Sequence, residues 1–178
     1  MCYLRSTIQS KKSLKNCAIC GVIKKYILNK EARILKADKI ATGHHLDDEA
    51  QTFFLNVLKG AIQLSANTGP ITRNVSDKKF IPRIKPLFFV FEDEIKKYAQ
   101  QKQLPVVYEK CPCAIDSYRI QVRKFFETLS KKEKQNIINN FLIIREKLNA
   151  GKSEIKYCSL CGEPSRGEIC KRCELIKR

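Results

Sequence analysis

The sequence has no run approaching the 18 or so apolar residues of a membrane span, and residues 1–16 carry Arg5, Lys11, Lys12 and Lys15 with no apolar signal core. Those two absences argue against a membrane or secreted protein and for a cytoplasmic one. It has no internal repeat and no low-complexity tract, and its seven glycines are never adjacent. Acids are scarce beside bases, 18 against 35, and the resulting charge of +17 is more than ordinary surface decoration. A polyanion is the matching partner, with nucleic acid first among them.

The chain's 178 residues, 43% hydrophobic and 30% charged, suffice for one medium domain with a small appendage, and the apolar content is far above that of a disordered chain. Nine cysteines are an odd number that fits no simple disulfide framework, and paired thiols in a cytosolic chain usually mean metal. Cys17 and Cys20 form C-x2-C, Cys111 and Cys113 lie in E-K-C-P-C, and Cys158, Cys161, Cys170 and Cys173 form C-x2-C-x8-C-x2-C. Cys2 stands alone and reads as incidental.

Apolar spacing predicts a helix over 22–38, a short buried strand at 39–43, and a second helix opening at Asp47 and Asp48 and ended by Gly60. The second helix would bury Ala50, Phe53, Phe54, Val57 and Leu58. Residues 66–86 read as a loop with one short strand at most, and 92–103 as a helix leading to a strand at Pro105–Tyr108 that delivers Cys111. Two more helices, 117–129 and 131–149, precede a linker at Ala150–Ser153. The order implies an α/β fold with a parallel sheet, residues 1–150 forming the main domain and 153–178 a small knot.

Each C-x2-C turn of the knot offers two thiolates, and two turns supply the four tetrahedral sulfurs that zinc prefers, so Cys158, Cys161, Cys170 and Cys173 are predicted zinc ligands. With every position filled by protein, such a zinc is structural. Arg166, Lys171, Arg172, Lys177 and Arg178 around it would touch RNA or DNA phosphates, or the knot would merely cap the main domain. A second signal is Gly43-His44-His45-Leu46-Asp47-Asp48-Glu49, since residues 41–56 carry three acids and no Lys or Arg. First-turn acids suit a helix N-terminus, which explains them structurally. Their place after a parallel strand equally suits a ligand site. Cys17 and Cys20, ahead of Lys24 and Lys25, fit a redox pair, half a metal site or a buried structural pair, with Cys111 as a possible third sulfur.

Taken together, C-x2-C-G with a basic helix, A-T-G-H-x-L-D-D-E-A-Q-T-x3-N-x3-G, E-x-C-P and the four-cysteine knot resemble the tRNA 2-thiouridine synthetases of archaea, eukaryotes and some bacteria. These are PP-loop ATPases of the ATP-pyrophosphatase fold group, and the likeness runs from about residue 14 to the end. It implies a tRNA sulfurtransferase in which ATP, with Mg, adenylates a tRNA uridine before a sulfur nucleophile displaces AMP. It further implies an oxygen-sensitive [4Fe-4S] cluster on Cys17, Cys20 and Cys111 with one iron open for sulfide, Cys113 being a competing ligand. Asp48 matches the catalytic aspartate of the family, and Lys24 would offset charge at the adenylate. Gly43, His44 and Asp47 would shape the nucleotide and metal surroundings, and Arg119 and Arg123 would meet tRNA phosphates. Sulfur would come from a partner such as a ubiquitin-like protein with a C-terminal thiocarboxylate, and a homodimer is compatible with the family.

The family's S-G-G-x-D-S phosphate loop has no counterpart in these 178 residues. The expectation is therefore an incomplete doubly wound parallel sheet, the C-terminal part of a PP-loop domain from a split or truncated gene, that needs a second chain carrying the loop. Competing readings are a non-catalytic tRNA-binding zinc module and another PP-loop enzyme, a lysidine synthetase or a cytidine thiolase.

Overall fold

A computed structural model describes residues 16–72, 77, 79–109, 111, 118–148 and 156–176. Helix α1 spans Asn16–Ile34, strand β1 Ile40–Ala41, α2 Leu46–Leu58, a 3-10 segment Ile62–Asn67, β2 Arg83–Ile84, α3 Glu92–Gln101, α4 Tyr118–Glu127 and α5 Lys131–Lys147. The C-terminal segment adds β3 (Lys156–Tyr157), β4 (Pro164–Ser165) and α6 (Lys171–Ile176). The α/β fold expected from the sequence is present, helix-rich with one parallel pair, β1 with β2, among the described residues. Ile40 lies opposite Arg83 and Ala41 opposite Ile84.

Helix α1 begins six residues before the predicted start and takes in both cysteines of the first C-x2-C. Ile19, one turn ahead of Ile23, is buried and extends the apolar contact in that direction. The helix also stops early, because Lys36 adopts a left-handed φ of 54° and the Ala37 N–H returns to the Ala32 carbonyl at 2.8 Å. Leu35 is consequently 78% exposed.

Helix α2 ends as predicted. Gly60 takes a φ of 63°, which a glycine adopts without a Cβ penalty, and its N–H closes onto the Val57 carbonyl at 2.9 Å. Its buried face is Leu46, Ala50, Phe53 and Leu55, while the expected Val57 and Leu58 point outward. The difference follows from what α2 packs against. Val122 and Phe126 of α4, Ile138 and Phe141 of α5, and Phe88 form one core with it, and the rings of Phe53 and Phe141 lie 5.1 Å apart. Helix α5 starts at a capping box that apolar spacing does not reveal, in which Ser130 accepts from the Glu133 N–H and the Glu133 carboxylate accepts from the Ser130 N–H at 2.7 Å.

The predicted strand at Pro105–Tyr108 is absent. No strand among the described residues lies beside it, and Val107 is 80% exposed. β-branched residues favour an extended chain, but a strand exists only through its ladder. The expected linker at 150–153 and Cys113 lie outside the described residues.

Candidate functional site

The carboxyl end of β1 sets the position of the acidic motif. The Thr42 N–H bonds the Ile84 carbonyl at 2.9 Å, which carries the ladder one residue past β1, and His44 Nδ1 then meets Thr42 Oγ1 at 3.0 Å. Gly43 and His44 are exposed in the turn that follows. His45 precedes α2 in an extended conformation and offers its helix no side-chain cap, so the first turn is served instead by the Leu46 N–H bonding the Val90 carbonyl and by Asp47, Asp48 and Glu49 against the helix dipole.

These three acids differ in their partners. Asp47 is buried, its Oδ2 accepting from the Glu92 N–H at 2.8 Å and its Oδ1 paired with Lys134 Nζ at 2.9 Å. It thereby ties α2 to α3 and α5. Burial works to raise its carboxyl, but the Lys134 ammonium and the Glu92 N–H outweigh that and hold it below the ordinary value. Glu49 is buried against Lys85 Nζ at 2.7 Å, joining α2 to the end of β2. Asp48 is the open one, its side chain 31% exposed, with Oδ2 at 3.3 Å from His45 Nε2 and Oδ1 at 3.1 Å from Arg119 Nη2. His45 Nδ1 is buried and has no hydrogen-bond partner among the described residues. Of the motif, Asp47 is engaged structurally and Asp48 is free enough to meet a ligand, and the site residue that sequence reasoning missed is His45. Its signal was available in the doubled histidine, but only the fold shows which of the two faces Asp48.

Arg123, one turn beyond Arg119 on α4, pairs with Glu92 at 2.5 Å, so both arginines expected to meet RNA hold acids at the starts of α2 and α3. Lys24 is exposed on α1, one turn after Cys20. Cys17 and Cys111 are exposed and Cys20 is half-buried. As exposed or half-exposed thiols they suit an iron-sulfur centre chemically. They are not gathered into a ligand set as the C-terminal thiols are, which form the only such group among the described residues.

Those four do converge. The Sγ atoms of Cys158, Cys161, Cys170 and Cys173 lie within 4.8 Å of one another, and Cys161 Sγ is 3.7 Å from Cys170 Sγ. A zinc–sulfur bond of about 2.3 Å gives a tetrahedral edge of about 3.8 Å, so the spacing fits that ion. Gly162 makes the first turn with a φ of 66°, and the Cys170 N–H points at Cys158 Sγ at 3.3 Å. That N–H draws the Cys158 thiol down to about 6, while burial pushes Cys161 up to about 12. Four thiolates together need a cation at their centre, and a dication fits both charge and spacing.

The knot packs on α1 and on Lys79, in the loop ahead of β2. Arg33 forms a two-pronged pair with Glu163 and also donates to the Lys79 carbonyl at 2.8 Å, and Lys79 Nζ reaches the Gly162 carbonyl at 2.9 Å.

Comparison with known proteins gives the family. The PP-loop domain family matches residues 22–126. The chain is 37% identical over 167 residues to a probable sulfurtransferase of Methanocaldococcus jannaschii, covering 92% of this chain and 48% of that protein. It is 37% identical over 164 residues to the tRNA-5-methyluridine(54) 2-sulfurtransferase of Pyrococcus horikoshii, covering 89% and 52%. Its fold matches the solved structure of the U34-tRNA thiolase NcsA from Methanococcus maripaludis with its [4Fe-4S] cluster, at a TM-score of 0.75 and 31% identity, over 92% of this chain and 53% of that one. The chain thus spans about half the length of the relatives it matches. With a family match across more than half its residues, the chain belongs to the PP-loop domain family.

Proposed function

We propose that the chain takes part in ATP-dependent 2-thiolation of tRNA, in which a uridine is adenylated and the AMP is then displaced by sulfur. The observation that supports this reading is the part-exposed carboxylate of Asp48, set just past the carboxyl end of a parallel strand, where α/β sheets bind their ligands. Asp48, between His45 and Arg119, would orient the nucleotide with its magnesium ion or the reacting uridine. Asp47 holds the turn rigid from beneath, and Gly43 and His44 line the exposed approach. Lys24 supplies a cation on the same helix as Cys17 and Cys20.

Cys17, Cys20 and Cys111 would hold a [4Fe-4S] cluster, the group that the Methanococcus maripaludis thiolase carries, and it would supply an iron site for the sulfur chemistry. The four C-terminal thiols would hold zinc with no open position. A phosphate-gripping loop of the S-G-G-x-D-S kind lies outside these 178 residues, on the same polypeptide or on a second chain, and β1, bonded to β2 on one side only among the described residues, is the sheet edge on which that piece would dock. The surplus of 17 positive charges suits tRNA, and a thiocarboxylate on a ubiquitin-like protein suits the sulfur supply. A cytoplasmic location goes with that substrate.

The test is anaerobic co-expression with a loop-bearing fragment, followed by iron analysis and a tRNA thiolation assay. Thiolated uridine should form with ATP, and Asp48→Ala should abolish it while leaving the assembly intact. Cys17→Ala, Cys20→Ala and Cys111→Ala should each remove iron. Thiolation that persists in Asp48→Ala would reject the role given to that carboxylate, and full iron content in the cysteine variants would reject the ligand set.

A further inference from the structure

Arg119 uses one nitrogen on Asp48, Nη2 reaching Oδ1 at 3.1 Å and the Asp48 carbonyl at 3.3 Å. Its other N–H groups have no acceptor among the described residues. The side chain is 46% exposed, so water competes for the pair and holds it weakly. A guanidinium makes its strongest contacts through two parallel bonds, and a phosphate offers them where this single-nitrogen contact does not.

Departure of Arg119 would leave no carboxylate stranded. Asp48 Oδ2 keeps His45 Nε2 at 3.3 Å. One turn along, Arg123 holds Glu92, which likewise keeps a second partner in Lys96 at 3.0 Å. Both arginines are therefore exchangeable, and the exchange at Arg119 has a consequence at Asp48 because it removes the cation that covers Oδ1.

We propose that Arg119 is shared between Asp48 and an RNA phosphate: it closes on Asp48 in the RNA-free chain, and RNA draws it away, so that binding RNA uncovers the carboxylate. The inference rests on the tRNA-thiolation reading of this site and makes Arg119 a positioning residue acting through Asp48. Because the two partners compete for one side chain, weakening the Asp48 contact must strengthen RNA binding.

The experiment measures the affinity of the 178-residue chain for an unmodified tRNA transcript at one fixed salt concentration, in wild type, Asp48→Asn, Arg119→Gln and the double variant. Asp48→Asn should tighten binding roughly two- to fivefold, the range set by an exposed ion pair, and should change nothing in the Arg119→Gln background. Asp48→Ser repeats the cycle should Asn disturb the fold, judged by thermal midpoint. Equal tightening in both backgrounds would reveal a general charge effect and overturn the proposal, as would no tightening in either. A wild-type chain that does not bind the transcript overturns this proposal together with the tRNA reading, whereas binding without coupling overturns the shared arginine alone.

Discussion

The guanidinium of Arg172 lies over the ring of Tyr26, 4.4 Å from its centroid, and so joins the helix that ends the cysteine knot to the helix that carries Cys17 and Cys20. With the Arg33–Glu163 pair, this contact makes the knot a support for α1.

Metal loss should accordingly be felt in α1. Cys158→Ser or Cys173→Ser leaves three thiolates, and the binding energy of such a site, on the order of 10 kcal/mol, is most of the knot's folding energy. Zinc content should fall to background, and amide exchange should quicken at the α1 turns around Tyr26 and Arg33 while the core around Phe141 stays protected. Unchanged zinc in both variants would falsify the ligand assignment.

Two arginine truncations should separate by their burial. Arg33→Ala leaves Glu163, whose side chain is only 12% exposed, without its partner, and should cost about 2 kcal/mol. Arg123→Ala removes a contact whose arginine is 53% exposed and should cost about 0.5 kcal/mol. Chemical denaturation of the two variants checks the order, and a larger loss for Arg123→Ala would reject it.

The helices were legible wherever apolar spacing and a stop signal coincided, as at α2 with Gly60, and the gathering of the four C-terminal thiols was legible because their spacing is itself the geometry. What stayed hidden depends on contacts between distant residues. Local pattern gave Pro105–Tyr108 the composition of a strand, but only a neighbouring strand could have made it one. Asp47 and Asp48 are adjacent and chemically identical, yet one is locked to Lys134 and the other opens toward Arg119, 71 residues away. The cation-rich surface likewise concealed that Arg119 and Arg123 already hold acids.

Acid should act through Asp47. Its folded-state carboxyl lies below the ordinary value, so its ionised form stabilises the fold above about pH 4, and that contribution disappears as pH falls through the lowered folded value. Glu92 follows the same sign, burial opposing and Lys96 with Arg123 prevailing. Thermal midpoints measured from neutral pH downward should decline below about pH 4 in wild type and decline less steeply in Asp47→Asn, which lacks the Asp47 share. Parallel curves for the two proteins would mean that Asp47 contributes nothing to acid sensitivity.

Salt should govern RNA binding more than any single substitution does. The excess of 17 positive charges is spread over several elements, so a tRNA contact neutralising about 6 phosphates gives a log–log slope near about −4 to −5 from the single-strand and duplex coefficients. Arg119 and Arg123 lie four residues apart on one face of α4, close enough to meet neighbouring phosphates once their carboxylate partners are exchanged. Replacing both with glutamine should flatten the slope by up to about 2 units, because each phosphate that loses its arginine keeps its counterion. A wild-type slope near zero would assign the positive surface to something other than a nucleic acid, and a full slope in the double variant would place the RNA path away from α4.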